Sequence, residues 1–600
     1  MADNKVHILS EDLTNKIAAG EVVDRPASIV KELIENSIDA GADEITVVLK
    51  KGGKQLIQIV DNGLGMSRED VILAIQRHTT SKISSYDDLH NIQTLGFRGE
   101  ALASIASISM MEVKTIPRGE SAGTVVRIDG GVVEEVADAG GAAGTSVSVK
   151  NVFYNTPARR KFLKTDETEY RQILHVFQRF ALAYFDIRFV LYHNDQKIYD
   201  MAPAEPDIRL IDVLGNRYKN QIVRVEDKSA VMEIWGFVGK QDVAKKSRGD
   251  QYLFLNGRFI QNRALNHAVI SSYGSILPRG EFPLYALFLE LDPRRVDVNV
   301  HPSKMEVKFA DERLIYGLVR NAVKRALSSH NMIPDFMPEM DIAPQPIKKE
   351  PQTFLAQQTT IPLYEMHPIS RPQMGIQSQE SSAIPTHVQI SEEMNEQQRQ
   401  REHALPVSEK KYERPNVWQI HNQYILSEIK SGLIIIDQHV AHERILYEKA
   451  LRAFEQSKPA SQQLLFPQVV ELTPEEFSYL EEMLPFLEKV GFVIKGFGGN
   501  TVVIEGVPAE IKIGSPENIL SEIIDEYIEN KDTSLDVRDN VAKSYSCKMA
   551  IKKGESLTRE EMNLLIDQLF ATQSPYFCPH GRPVIVNLSL DELDKRFGRI

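Results

Sequence analysis

The chain has 600 residues, 42% of them apolar and 26% charged, with a formal net charge of −13. That length excludes a single core and predicts about three to five domains. No apolar run is long enough to span a membrane, and the first residues carry no signal-type apolar stretch, so a cytoplasmic protein is expected. The acidic balance repels nucleic acid, so any DNA contact has to come from a local basic surface.

The first informative segment runs from Arg25 to Gly41. Val30, Leu33, Ile34 and Ile38 recur at helical spacing and predict a buried stripe. Pro26 suits the first turn and Gly41 the stop. Glu32, Glu35, Asn36 and Asp39 gather on the other side, with Glu32 and Asn36 one turn apart. Taken alone, such a face is most simply a solvated one. The next segment adds to it. Gln55–Val60 alternates as a strand and enters a turn, Asp61-Asn62-Gly63-Leu64-Gly65-Met66. A carboxylate there can accept a hydrogen bond from an adenine amino group, and Gly65 lets the backbone approach a ligand. Thr94 to Leu102 follows as a glycine-hinged loop containing Gly96, Phe97, Arg98, Gly99 and Glu100. It leads into a helix whose amide-rich start can hold phosphates. No G-x-x-x-x-G-K-[ST] occurs, which excludes the P-loop solution.

Basic runs follow at Lys150, Arg159, Arg160, Lys161 and Lys164, and again at Lys245, Lys246 and Arg248, with Arg258 and Arg263 beside a further strand. None has a base-reading pattern, so contact to double-stranded DNA would be independent of sequence. Val296 to Val307 alternates as a strand and turns through His301, Pro302 and Ser303 to Lys304. From about 334 to 415 the chain is rich in Pro, Gln, Glu and Ser and cannot bury enough apolar surface to fold; a flexible linker is predicted.

Folding resumes near Val417. Leu433–Ile436 reads as a buried strand, and Asp437 to Glu448 as a helix with His439 and Glu443 one turn apart. The two cysteines of the chain both lie near its end, Cys547 in Ser546-Cys547-Lys548 and Cys578 two residues before His580. Thiolate, imidazole and carboxylate suit zinc or a similar divalent ion. The plainer alternative is two small buried cysteines and a core histidine.

Several motifs occur together and in order: Asn15 to Val23, Glu32-x-x-x-Asn36, Asp61-Asn-Gly-x-Gly65, Gly96-Phe-Arg-Gly-Glu-Ala-Leu102, and Asn155 to Phe162. In this the chain resembles the MutL family of DNA mismatch-repair proteins, members of the GHKL ATPases. The resemblance implies a multidomain α/β fold. It would comprise a GHKL (Bergerat) α/β sandwich ATPase domain over 1–215, a ribosomal-S5-like transducer over 216–333, a disordered linker over 334–415, and an α/β dimerisation and endonuclease domain over 416–600. A regulatory insert would occupy about 470–540.

The resemblance also assigns roles. Glu32 would be the general base for ATP hydrolysis and Asn36 the ligand of a magnesium ion bridging the phosphates. Asp61 would read adenine beside Thr145, and Gly96 to Glu100 would close over the phosphates. Lys304 would reach the terminal phosphate from the transducer. Nothing local demands more than a structural role of Glu35 and Asp39. The segments Asp437-Gln-His-x-x-x-Glu443-x-x-x-x-Glu448, Ser-Cys547-Lys and Cys578-Pro-His580-Gly-Arg-Pro are similar to those of relatives with a latent endonuclease. There Glu443, Cys547, Cys578 and His580 would hold the tighter ion, with Asp437 and His439 completing a weaker second position. In the rival arrangement zinc is structural or regulatory, and manganese or magnesium serves cleavage. Gln462, Leu465 and Pro467 form a Q-x-x-L-x-P segment similar to that engaging the replication sliding clamp, or an ordinary entry into a strand. Arg258, then Arg159 and Arg160, would contact DNA. The implied assembly is a homodimeric clamp working with a MutS-type mismatch-recognition protein. The end, Phe597-Gly598-Arg599-Ile600, keeps only part of the family's Phe-x-Arg ending. The alternatives are a non-nucleolytic ATP-gated matchmaker, a topoisomerase-type ATPase, which would need a toprim-like acidic segment, and a histidine kinase, which would need a phosphoacceptor helix upstream.

Overall fold

Alternation of apolar residues organises the amino-terminal region into one broad sheet. The computed structural model describes residues 23–82, 94–96, 99–246, 249–274, 276–278, 280–297, 307–329, 416–455, 461–509, 516–531 and 536–599. Phe97, Arg98, Arg248, Lys304 and the predicted linker lie outside the described residues.

Helix α1 (Pro26–Asp39) begins with a proline in its first turn and is followed by Gly41 at φ +66°, where the left-handed backbone favours glycine. Its buried stripe is Ile29, Val30, Leu33 and Ile34, with Ile38 only half-buried. The sheet comprises β1 (Glu44–Lys50), β2 (Leu56–Asp61), β3 (Met110–Ile116), β4 (Ala122–Asp129), β5 (Val132–Gly140), β6 (Gly144–Lys150), β7 (Arg188–His193) and β8 (Gln196–Met201). They lie in the order β5-β4-β3-β6-β2-β1-β7-β8, with only β1 and β7 parallel. Among the helices of this region are α2 (Arg68–Ala74), α3 (Ala101–Ser107), α4 (Asp166–Ala183) and α5 (Pro206–Leu214). Helix α1 packs against both β2 and α4.

A second sheet follows, with strands β9 (Ile222–Lys228), β10 (Met232–Gly239), β11 (Gln251–Leu255), β12 (Arg258–Ile260) and β13 (Tyr285–Leu291) in the order β12-β11-β13-β10-β9. Helices α6 (Arg263–Ser272) and α7 (Glu312–Ser329) pack on each other beside it and share its apolar core. Val296–Asp297 pairs with Lys308–Phe309 as a short antiparallel ladder.

After the linker, β14 (Val417–Ile420), β15 (Tyr424–Ile429), β16 (Gly432–Asp437) and β17 (Ile585–Ser589) form a four-stranded antiparallel sheet. Helix α8 (Gln438–Ala453) leaves β16 directly. Ile425, Ile434 and Ile436 alternate onto the buried face with Val440 and Ala441 of that helix. A separate three-stranded sheet pairs 461–471 with 501–508, and 501–508 with 493–498. Helices α9 (Pro474–Val490) and α10 (Pro516–Asn530) pack against it, with α11 (Val537–Met549) alongside. Thr473 and Glu476 close a capping box at the start of α9. Helices α12 (Arg559–Phe570) and α13 (Leu590–Arg596) complete the region. The regions before and after 336–415 pack as one compact unit. Among the described residues no helix is long and apolar enough to cross a membrane. The α/β multidomain class expected from the sequence is the one observed.

Candidate ATP site and candidate metal centre

The two-residue period of β2 brings Ile57, Ile59 and Asp61 onto one buried face, so the strand delivers a carboxylate to the underside of α1. Ser37, one turn beyond Leu33 and buried, donates to Asp61 Oδ2 at 2.8 Å. Asp61 Oδ1 accepts from the amides of Gly63 at 3.0 Å and Thr145 at 3.3 Å. Burial pushes the Asp61 carboxyl above its ordinary range, against the pull of these three donors. The pairing of β2 with β6 places Thr145 opposite Asp61, and Thr145 Oγ1 lies 3.0 Å from Thr115 Oγ1. Gly65 sits at φ +69°, and a Cβ there would come within 2.2 Å of the Ile116 carbonyl, so this turn accepts only glycine.

The polar side of α1 is less solvated than its pattern suggests. Glu35 is 4% exposed. Lys31 Nζ lies 2.9 Å from Glu32 Oε1 and 3.0 Å from Glu35 Oε1. Burial raises the Glu35 carboxyl, an effect the Lys31 charge only partly offsets. Burial alone would lower the Lys31 ammonium, but the two carboxylates hold it above its ordinary value.

Asp39 accepts from the amides of Leu95 at 2.9 Å and Gly96 at 3.0 Å, so it anchors the start of the predicted phosphate loop. Lys82 Nζ bridges Asp39 Oδ2 at 2.6 Å and Asn36 Oδ1 at 2.9 Å. Asn36 therefore presents an oxygen that already binds a cationic group, which fits the magnesium role. Gly99 sits at φ +65°, where a Cβ would meet the Thr79 carbonyl at 2.3 Å, and Glu100 lies 3.3 Å from His78 Nδ1 just before α3. Pattern reading missed Lys82 and Ser37, and it understated Asp39. Lys82 lies in a stretch without periodicity, and no local signal marks it.

Arg258 turns inward. Its guanidinium donates to the carbonyls of Thr94 at 3.4 Å and Leu95 at 3.2 Å, beside a cavity of about 50 Å³ also lined by Lys31, Glu35 and Phe259. Arg159 and Arg160 end a short helical turn, Pro157–Arg160, with Arg160 exposed and Arg159 half-buried.

In the carboxyl-terminal region β16 hands directly over to α8 at Asp437. Its Oδ1 accepts from the amides of His439 at 3.0 Å and Val440 at 3.1 Å, which caps the helix. His439 Nδ1 lies 2.8 Å from the Ile551 carbonyl. A carbonyl only accepts, so Nδ1 carries the proton and Nε2 keeps its lone pair. One turn on, Glu443 is 1% exposed. It hydrogen-bonds His580 Nδ1, and Glu443, Cys578 and His580 bring one donor atom each to within 4.8 Å of one another. The two-residue spacing of Cys578 and His580 closes on a tight turn through Gly581 at φ +79°. His580 Nε2 is buried without a hydrogen-bond partner. The Cys578 sulfur and the Glu443 carboxylate, as acceptors facing the ring, raise the imidazole to about 9 despite burial. A buried thiol, a carboxylate and an orphaned imidazole nitrogen fit a zinc-type ion.

Cys547, Asp437 and His439 stand outside that close group. Burial, then the charges of Glu526 and Glu443, push the Cys547 thiol up to about 12. Glu448 accepts from the amides of Gln573 and Ser574 and from Arg444. It holds the approach to the Cys578 turn. In the predicted clamp segment Gln463 pairs with Gly506 and Gln468 with Ile504, so the intervening residues bulge from the ladder. Leu465 is 88% and Phe466 73% exposed there.

Known proteins similar to the chain are of one family. Residues 25–146 match the histidine kinase-, DNA gyrase B- and HSP90-like ATPase family. Residues 210–328 match the DNA mismatch repair protein, C-terminal domain family, and residues 417–557 the MutL C terminal dimerisation domain. The DNA mismatch repair protein MutL of Pelodictyon phaeoclathratiforme is 44% identical over 98% of this chain and 99% of its own. That of Chlorobium limicola is 43% identical over 99% and 100%. A solved Aquifex aeolicus MutL ATPase domain complexed with ADP is 25% identical over 50% of this chain and 98% of its own, with a TM-score of 0.36. The chain belongs to the MutL family of DNA mismatch repair proteins and carries that family's ATPase and C-terminal dimerisation domains.

Proposed function

We propose that the chain is an ATP-gated homodimeric clamp of DNA mismatch repair whose carboxyl-terminal region is a latent, metal-dependent DNA nickase. The observation that carries the nickase is the Glu443–Cys578–His580 group with its unpartnered buried nitrogen. A divalent ion held there, zinc or manganese, supplies Lewis acidity and a bound water of lowered pKa. Glu443 fixes the His580 ring, the Ile551 carbonyl fixes the His439 tautomer, and Asp437 fixes the first turn of α8 so that His439 and Glu443 keep their spacing.

In the amino-terminal region, Glu32 serves as general base and Asn36 as magnesium ligand. Asp61 with Thr145 reads adenine, and Gly96 to Glu100 cover the phosphates. Lys304 completes the site from the second of the expected domains, 216–333. ATP binding would draw two amino-terminal regions together around double-stranded DNA, with the exposed Arg160 and half-buried Arg159 as basic contacts, while Arg258 would reach DNA only by releasing the Thr94 and Leu95 carbonyls. A MutS-type protein would supply the mismatch signal. The bulged Leu465 and Phe466, with Gln462 and Pro467, suit an apolar pocket on a sliding clamp. The protein would act in the cytoplasm, on the chromosome.

The homodimer has a natural face. Trp418, Leu426, Ile435 and Val586 pair in one row across the four-stranded sheet, on the side opposite the α8 core. Trp418 is 50% and Val586 52% exposed. An uncovered apolar row of this kind suits a second copy of the same chain.

Nicking of supercoiled plasmid with manganese tests the nickase. The wild type is expected to nick and Asp437→Asn to lose nicking, because asparagine keeps the helix cap but removes the carboxylate that, with His439, would complete a second metal position. Equal inactivity of both would remove the nickase. A second reading would then stand, an ATP-gated matchmaker with structural zinc. It is favoured by one observation, that Asp437 Oδ1 is already spent on two backbone amides.

A further inference from the structure

Helix α4 is occupied on two sides. One side packs on α1, the helix of Glu32 and Asn36. The other meets α9, whose contact residue Ser478 lies 307 positions beyond Arg171. Arg171 is 3% exposed. Its guanidinium donates to Glu482 at 2.8 Å and to the Ser478 carbonyl and hydroxyl at 3.4 and 3.3 Å. It also lies over the Tyr479 ring, 4.3 Å from the centroid.

One turn along α4, His175 Nε2 is 3.5 Å from Glu475. Past the end of α5, Arg217 pairs with Glu476 at 2.7 Å, and Gly215 faces the Thr473 methyl. Lys246 lies 3.9 Å from Glu526 of α10. In each of these contacts the basic residue comes from the amino-terminal side and the acid from the carboxyl-terminal lobe. Burial would push the Glu476 carboxyl up, yet the charges of Arg217 and Lys245 hold it below its ordinary value.

We propose that this contact is an intrachain latch, in which the acidic face of α9 docks on the basic α4–α5 face behind the ATP helix and can be released as a unit. An interface made of charges gains little net free energy over hydrated ions, because desolvation offsets attraction. It is therefore specific without being permanent, and salt weakens it through the part-exposed Arg217–Glu476 and Lys246–Glu526 pairs more than through the buried Arg171. Its place behind α1 ties release to any movement of that helix when nucleotide binds.

Small-angle scattering of the full chain at low and high salt tests the latch. The wild type is expected to be compact at low salt and to gain in radius of gyration at high salt. Arg171→Glu is expected to be expanded at low salt, and the combination Arg171→Glu with Glu482→Arg to be compact again. Arg217→Ser, at a side chain 36% exposed, is expected to expand the chain while Lys245 stays with Asp250 and the capping box stays with Glu476. Carbodiimide should join Lys246 to Glu526 in the wild type and fall to background in the expanded variants. A radius indifferent to salt and to Arg171→Glu, or a reversed pair that stays expanded, overturns the latch. Cross-links between labelled and unlabelled chains in a mixed sample overturn its intrachain form.

Discussion

The ammonium of Lys82 stands 2.9 Å from Asn36 Oδ1, and its second partner, Asp39 Oδ2 at 2.6 Å, also anchors the Leu95 and Gly96 amides. One lysine thus ties the proposed magnesium ligand to the root of the phosphate loop. The Asp39 side chain is 6% exposed, so removing its cation leaves a buried carboxylate uncompensated. Lys82→Met is expected to cost about 3 kcal/mol of stability and to lower ATP turnover. Thermal unfolding measures the first and steady-state ATP hydrolysis the second, and an unchanged melting temperature would rule out the strut.

Glu32 is held by Lys31 at 2.9 Å, on the same helix as Asn36 and one turn before it. If it activates the attacking water, Glu32→Ala should retain ATP and lose roughly 100- to 10,000-fold in turnover. Asn36→Ala should instead weaken ATP binding in the presence of magnesium. Equilibrium binding and single-turnover hydrolysis separate the two effects. Normal hydrolysis by Glu32→Ala would take the base role away from it.

Local features of the chain were readable in advance, and features made by distant partners were not. The stripe Val30, Leu33 and Ile34 and the ends of α1 at Pro26 and Gly41 follow from periodicity and terminal residue chemistry, which act within a few residues. Cys578 and His580 declared themselves by spacing on one turn. The burial of Glu35 did not, because it depends on Arg258 and the loop at Leu95 arriving from elsewhere. Cys547 looked like a fourth ligand, yet its placement depends on how α11 sits against Glu526, which no local pattern encodes. The pairing of Arg171 with Glu482, 311 residues apart, is of the same kind.

Cys578 is 4% exposed and shares its close group with Glu443 and the orphaned His580 nitrogen. Cys578→Ser replaces a thiolate with a poor ligand of similar size. Elemental analysis after gel filtration should show zinc or manganese retained by the wild type and largely lost by this variant. Cys547→Ser is the informative companion, because Cys547 lies outside the close group. Equal metal content in wild type and Cys578→Ser would mean that the group binds no ion.

The row Trp418, Leu426, Ile435 and Val586 offers a second copy a continuous apolar strip. Ile435→Asp puts a charge at its centre, where an unpaired carboxylate costs about 3 kcal/mol or more, so the dimer constant should weaken by at least roughly 100-fold. Sedimentation equilibrium of the full chain reads this directly. A variant that remains a dimer would move the interface to another face.

Asp250 supplies the pH prediction. Burial would raise its carboxyl, but the charges of Lys245 and Arg217 and a hydrogen bond from Tyr218 bring it down to about 2. Lys245 Nζ lies 2.7 Å away, and the carboxylate side chain is 14% exposed. In the unfolded chain an aspartate titrates near about 3.9. A carboxyl whose folded value lies below its unfolded value binds fewer protons when folded. Its contribution is therefore fully present above about pH 4 and is lost as pH falls through about 2. The shift corresponds to a stabilisation on the order of 2 kcal/mol. Asp250→Asn should be less stable than the wild type at pH 7 by about that amount, and the difference should shrink steadily between about pH 4 and pH 2. Denaturant unfolding across this window checks the sign as well as the size. A difference that stays constant down to pH 2 would mean that Asp250 acts through packing rather than through its charge, and that Lys245 and Arg217 find their compensation elsewhere.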